Sequence, residues 1–249
     1  HEDFSEDTFR TLVAADSAVM LLDNRKGVEE QTRKLYAACR RRRTPTFVFV
    51  NKCDRSGENP LKLLDDVESE LGLACYPVTW PITDGSRLVG VYDRVAGAVH
   101  LFEGEGHHGQ RRVKVTVARL ASGETAALLG AGAHQALMDD VELLQAAGAD
   151  FHEQAMLEGR LAPAFFGSAL TNFGVEPFLR HFLRLAPPPG PREGSEGPVL
   201  PTDPRFTGFV FKIQANMDPR HRDRVAFLRI CSGRFEPDSR REGLNALGA

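Results

Sequence analysis

The chain has 249 residues, 42% of them hydrophobic and 26% charged, which is enough apolar material to bury a real core in one large or two medium domains. A formal net charge of -3 gives no global electrostatic case for nucleic acid, DNA included, and no apolar run approaches the ~18 residues of a membrane span. The four cysteines, Cys39, Cys53, Cys75 and Cys231, form no C-x-x-C pair, which argues against a zinc ribbon or a disulfide framework and fits a reducing cytoplasm.

Along the chain, the opening "HEDFSEDTFR" is acidic and lacks a methionine, so an upstream piece is expected to be absent. "AVMLL" (Ala18 to Leu22) and "TFVFV" (Thr46 to Val50) are too short for helices and predict strands buried on both faces. Between them "VEEQTRKLYAACRRRR" puts Val28, Leu35, Tyr36 and Cys39 near one helical face, and the three segments predict a βαβ unit. Asn59 followed by Pro60 starts a further helix with an apolar stripe of Leu61, Leu64, Val67 and Leu71, ended by Gly72. "ACYPVTWPI" is a third strand interrupted by prolines. From Gly85 to Leu120 alternating, glycine-broken segments predict a small antiparallel β insert. Helical segments from about Glu124 to Leu157 lead to a buried strand in "APAFFGSAL" and a helix carrying Val175, Phe178, Leu179, Phe182 and Leu183. Pro187 to Pro204 is dense in proline, glycine and charge and predicts a linker between residues 1–186 and a second domain, 205–249. There, "RFTGFVFKIQ" and "RVAFLRICSG" predict antiparallel strands.

"NKCD" directly follows the strand "TFVFV". In an open parallel sheet ligands bind outside the carboxyl ends of the strands, where Asn51, Lys52 and Asp54 must sit. A carboxylate offers two acceptor oxygens, which match the N1–H and 2-amino group of guanine and reject adenine. The Lys52 stem can cover the base with its ammonium in water, and Asn51 can tie neighbouring loops together. By chance N-K-x-D arises in about one chain in thirty of this length, and far less often at the end of a buried strand of a βαβ unit. In "FFGSALTNFG", Ser168, Ala169 and Leu170 end a second buried strand, where backbone N–H groups can meet guanine O6 and Ser168 can orient Asp54. That triplet alone is more often a plain strand-to-helix turn; together the two segments make a guanine pocket.

The segments "HEDFSEDTFRTL", Asp23 to Gly27 followed by "VEEQTRKL", "NKCDR", "PVTWPI", "FFGSALTNFGVEPFL" and "FTGFVFKIQANMDPRHRDRVAFLRICSG" together resemble the bacterial peptide-chain release factor three family of translational GTPases. The resemblance runs from about Glu2 to Phe235 and is most specific from Phe206 to Arg224, where elongation factor G differs. It implies an α/β P-loop-type GTPase domain, a parallel sheet flanked by helices, followed by an antiparallel β-barrel domain. It implies GTP and GDP as ligands, with Mg²⁺ in the intact protein. It also implies a cytoplasmic activity on the ribosome that removes class-one release factors after peptide release. By the same resemblance His1 matches the histidine that positions the attacking water, and Glu2 to Ala15 the switch II helix. Asn51, Lys52, Cys53 and Asp54 match the base-reading motif, with Cys53 at its variable position, and Ser168, Ala169 and Leu170 match the second base-contacting loop.

Departures from the family are as informative. No G-x-x-x-x-G-K-[ST] occurs, so the phosphate cradle, its lysine and the Mg²⁺ hydroxyl are missing, as is the Asp-Thr-Pro-Gly that would precede His1. "EPDSRREGLNALGA" loses the alternating pattern, and the expectation is a gene fragment with a shifted frame near Pro237 that does not hydrolyse GTP by itself. Two alternatives stand beside a termination GTPase: another translational GTPase such as elongation factor G, and a non-hydrolysing guanine-nucleotide or ribosome-binding module. Arg40 to Arg43 fit either a contact with ribosomal RNA or, as the commoner case, solvated cations at a helix C-terminus. His107 and His108 lack partners at metal-ligand spacing, and Tyr76 and Trp80 read as packing. Arg220, Arg222 and Arg224 fit either ribosomal RNA phosphates or a solvated hairpin tip.

Overall fold

A computed structural model describes residues 5–85, 87–103, 114–147, 150–215 and 224–235. His1, His107, His108, Arg220, Arg222 and the stretch from Pro237 onward lie outside the described residues. In chain order, α1 (Ser5–Ala14) precedes β1 (Ala18–Asp23), α2 (Glu30–Arg41), β2 (Thr46–Asn51), α3 (Pro60–Leu71) and β3 (Ala74–Pro77). Then follow β4 (Thr79–Asp84), β5 (Arg87–Asp93), β6 (Ala98–Glu103) and β7 (Lys114–Arg119), the helices α4 (Gly123–Leu129), α5 (Ala131–Ala146) and α6 (Glu153–Leu157), and β8 (Leu161–Phe166) with α7 (Val175–Leu185). The remaining strands are β9 (Arg192–Gly194), β10 (Gly197–Val199), β11 (Thr207–Ala215) and β12 (Arg224–Ser232).

The chain divides into two compact units, Ser17–Ala186 and a second made of His1–Asp16 with Pro187–Ala249. In the larger unit a parallel sheet runs in the order β1-β2-β8-β3. β2 and β8 lie at its centre, and continuous apolar runs fill both faces: every residue of β8 is buried, as are the first five of β2. On one face Phe47, Phe49 and Phe165 take Phe178 and Phe182 of α7, with ring centroids 4.9 to 5.2 Å apart for Phe47–Phe182, Phe49–Phe178 and Phe165–Phe178. Burying each such ring is worth roughly 1.5–3 kcal/mol, which makes this contact the anchor of the unit. α3 starts where Asn59 Oδ1 accepts from Leu61 N at 2.8 Å and Lys62 N at 3.4 Å, and ends at Gly72 with φ +66°.

Several sequence expectations need correction. The apolar run of β1 implies burial on both faces, yet Val19 is 39% and Leu21 63% exposed. Their register partners are Phe47 and Phe49, so they share the face that α7 covers, but β1 is the sheet edge and α7 sits over β2 and β8. On α7, Phe178 and Phe182 face the sheet, whereas Leu179 is 48% and Leu183 80% exposed. In α3 it is Leu63, not Leu61, that joins Leu64, Val67 and Leu71 in the buried set. The single strand read in "ACYPVTWPI" is two: β3 pairs in parallel with β8, and β4 opens the antiparallel sheet β4-β5-β6-β7. Val78 is the joint between them, its N–H donating to Ala164 O and its carbonyl accepting from Arg94 N. The insert therefore begins at Thr79 rather than Gly85.

In the smaller unit β11 and β12 form an antiparallel ribbon. Within the stretch read as a linker, β9 and β10 make a short hairpin. Arg192 from that hairpin donates to the carbonyls of Val13 and Ala15, and Arg229 of β12 donates to Ala14 O. Two guanidinium groups thus satisfy the carbonyls left open at the C-terminus of α1, where cations also meet the negative end of the helix dipole. Asp16 accepts from both arginines, and Lys212 reaches Asp7 at 2.9 Å. Residues 1–16 consequently cluster with the second part of the chain rather than with residues 17–186.

Candidate functional site

The carboxyl ends of β1, β2 and β8 carry the sequence-predicted residues, because parallel pairing places them side by side: Asp23 is in register with Asn51, and Val50 with Phe166. Two loops leave this edge, one running through Asn51 to Arg55 and the other through Gly167 to Gly174. Asn51 joins them. Its Oδ1 accepts from Lys52 N at 2.8 Å in its own loop and from Ala169 N at 2.9 Å in the other. The backbone adds two rungs, Gly167 N to Val50 O and Cys53 N to Gly167 O, both 3.0 Å.

Lys52 has φ +67°, a left-handed conformation that costs a side-chain-bearing residue about 1–2 kcal/mol, and the Asn51 bond to its N–H helps to hold it there. Its Nζ lies 2.7 Å from Asp23 Oδ2. Sequence reasoning missed Asp23; the signal was its place at the end of the neighbouring strand. That hydrogen bond from Lys52, opposed by burial and assisted by the N–H of Arg25, holds the Asp23 carboxyl below its ordinary value. Cys53 is buried and its thiol faces Val50 O, and burial pushes its pKa up to about 12.

Two side-chain oxygens at this edge, Asn24 Oδ1 and Asp54 Oδ1, are buried without a hydrogen-bond partner among the described residues. Asp54 Oδ2 lies 3.6 Å from Arg55 Nε. A buried acceptor left unpaired costs roughly 1–3 kcal/mol, and a ligand N–H donor recovers it.

The second loop closes on itself. Ser168 N donates to Phe173 O at 2.8 Å, and a Cβ on Gly167 would sit 2.4 Å from that same carbonyl. Gly174, at φ +76°, would bring a Cβ within 2.5 Å of Phe166 O, so both ends of the loop require glycine. Two of the three amides expected to meet guanine O6, those of Ser168 and Ala169, therefore already have protein acceptors. Ser168 is fully buried with its hydroxyl 3.4 Å from Thr171 N, and the structure shows no bond from it to Asp54. Leu170 is 44% exposed at the loop tip.

Outside this edge, Trp80 is buried and donates from Nε1 to Asp140 Oδ2 at 2.9 Å, while Tyr76 packs on Phe151 under Arg94. Arg40 to Arg43 are exposed. Among the described residues no three His, Cys, Asp or Glu side chains gather as a metal ion would require, and no helix is long and apolar enough to cross a membrane.

The family model described as the elongation factor Tu GTP binding domain matches residues 1–188, and that of elongation factor G domain 2 matches residues 205–241. Peptide chain release factor 3 of Nostoc punctiforme is 53% identical over 238 residues, 96% of this chain and 44% of the relative. That of Synechococcus elongatus is 54% identical over 96% of this chain and 43% of its own length. The chain thus spans less than half the length of the curated relatives it matches. A crystal structure of a Thermus thermophilus protein superposes with a TM-score of 0.67 at 25% identity, over 96% of this chain and 35% of its own.

Proposed function

The chain belongs to the elongation factor Tu GTP binding domain family, and from that premise we propose that it is the guanine-reading part of a translation termination GTPase of the release factor 3 kind. The whole protein hydrolyses GTP to GDP and phosphate on the ribosome, and so promotes the departure of class-one release factors in the cytoplasm. Its partners are ribosomal RNA and proteins together with those factors, without membrane or DNA. Mg²⁺ supplies charge neutralisation at the phosphates when nucleotide is bound. His1 is the proposed water-positioning residue.

One observation carries the base assignment: Asp54 Oδ1 is buried and unpaired beside a loop that Asn51 ties to Ala169. Asp54 takes the guanine N1–H and 2-amino group, the aliphatic stem of Lys52 covers the ring, and Asn51 holds the two loops at a fixed separation. Leu170 N–H is the amide nearest the loop tip for guanine O6.

Asp54→Asn in the full-length protein tests this reading. The amide oxygen still accepts from N1–H, but its NH₂ faces the guanine amine, donor against donor. Xanthine carries a carbonyl in place of that amine, so preference should turn from GTP to xanthosine triphosphate. A site built to hydrogen-bond a group can reject the mismatched analogue by up to ~10⁴-fold. Competition binding of the two nucleotides decides it: equal weakening of both, or an unaltered affinity for GTP, would make Asp54 a structural carboxylate.

A further inference from the structure

The antiparallel sheet β4–β7 contacts the end of β8 and the 167–174 loop that follows it. At the end of β8, Thr79 Oγ1, fully buried, accepts from Phe166 N at 3.1 Å, and Trp80 meets the Phe166 ring edge-on at 5.4 Å. On β6, Phe102 stacks on Phe173 with centroids 4.5 Å apart and planes 21° apart. Phe173 in turn holds Ser168 through its carbonyl, and the next amide, Ala169 N, is the one bound to Asn51. An unbroken series of contacts therefore leads from the insert to "NKCD".

A second grip lies behind the loop, on α7. Asp93, at the end of β5, places Oδ2 2.6 Å from His181 Nε2, while its Oδ1 accepts from Val95 N and Ala96 N in the turn to β6. Arg184 Nη2 lies 3.2 Å from His181 Nδ1. A guanidinium can only donate, so Nδ1 is the acceptor and the ring proton sits on Nε2, directed at Asp93. Both Asp93 and His181 are buried, which makes the pair a fixed bolt between the insert and the helix that follows the loop. Phe102 also walls a cleft of about 190 Å³ with Asn172 and Val175. Without that ring the loop has somewhere to go.

We propose that the β4–β7 sheet is the positioning element of the base pocket: Phe102, acting through Phe173, and Asp93, acting through His181, hold the 167–174 loop against Asn51. The consequence for nucleotide rests on the guanine reading above; the hold on the loop does not. None of these four side chains needs to touch the ligand.

The test compares wild type with Phe102→Leu, Phe102→Tyr and Asp93→Asn in the full-length protein. Amide hydrogen exchange is read at Ser168 and Ala169, and release of a fluorescent GDP is timed in parallel. Phe102→Leu should speed exchange of the loop amides by roughly twofold to tenfold, the range an aromatic pair supports, and leave β2 and α3 unchanged. Phe102→Tyr keeps the ring and should restore wild-type exchange. GDP release should quicken by a similar factor. Should Phe102→Leu fail to fold, Asp93→Asn carries the same comparison through the independent grip. Unchanged loop exchange, or a rise shared equally across the unit, would overturn the proposal. Faster loop exchange with unchanged GDP release would uphold the positioning and instead count against the guanine reading.

Discussion

Asn51→Ala removes one oxygen that holds two loops. The atom lost, Oδ1, accepts from Lys52 N at 2.8 Å and from Ala169 N at 2.9 Å, so two main-chain donors lose their partner at once. Each such bond contributes a net ~0.5–1.5 kcal/mol, and the exposed position of Lys52 lets water take over part of its share. The expected destabilisation is therefore about 1–2 kcal/mol, or roughly 2–8 °C in melting temperature for a chain of this size. Lys52 also loses the bond that offsets its left-handed φ of +67°, which places the effect in the upper part of that range. Asn51→Asp keeps an oxygen toward both donors and should stay within about 0.5 kcal/mol of wild type. Urea unfolding of the three proteins, with hydrogen exchange of the Ala169 amide, separates the cases. If Asn51→Ala unfolds at the wild-type midpoint and Ala169 stays protected, the bond is incidental and the loops are held elsewhere.

Burial disfavours the charged form of His100 and lowers its pKa below 6.5, with nearby Asp93 opposing the shift and Arg180 and His181 reinforcing it. The unfolded chain then binds the extra proton, so this contribution to stability is complete above pH 6.5 and declines as pH falls through the depressed value. Unfolding midpoints at pH 7 and pH 5 should differ by at most ~1.4 kcal/mol per pH unit from this group, and His100→Asn should flatten that difference; an equal slope in the variant would assign it to other groups. Cys53, with its pKa pushed up to about 12 by burial and its thiol on Val50 O, should resist alkylation at pH 8 in the folded chain and react only on unfolding, as mass spectrometry of the labelled peptide would show; rapid native labelling would mean that the 51–55 loop opens readily.

The parts of this structure that were legible in the sequence are those fixed by near neighbours. "TFVFV" and the first residues of "APAFFGSAL" gave themselves away because central parallel strands need apolar residues on both faces, and Asn59-Pro60 with Gly72 bracketed α3 by local capping chemistry. "AVMLL" has the same composition as a central strand, and only the sheet order reveals it as an edge. Pro77 and Pro81 signalled interruption in "ACYPVTWPI" but not that the chain changes sheets between them. At the site, spacing within "NKCD" located the carboxylate, yet the partner of Lys52 is Asp23, 29 residues earlier, and the partner of His181 is Asp93, 88 residues earlier. No periodicity encodes such pairs; they exist only once the strands are aligned.

Asp23 and Asp54, both at this edge of the sheet, are satisfied by the fold to different degrees. Asp23 accepts from Lys52 Nζ and from Arg25 N, so its charge is compensated within the protein. Asp54 has a buried oxygen with no donor among the described residues, which a folded domain tolerates only where the surroundings over-determine it. The surroundings here do so: Asn51 pins both loops, Gly167 and Gly174 admit no side chain, and the left-handed residues Lys52 and Asn172 lie one in each loop. Local strain and an unpaired acceptor thus fall within the same few residues. On the guanine reading proposed above, the donors for this carboxylate are the N1–H and 2-amino group of the base, and the Asp54→Asn competition experiment is what tests it.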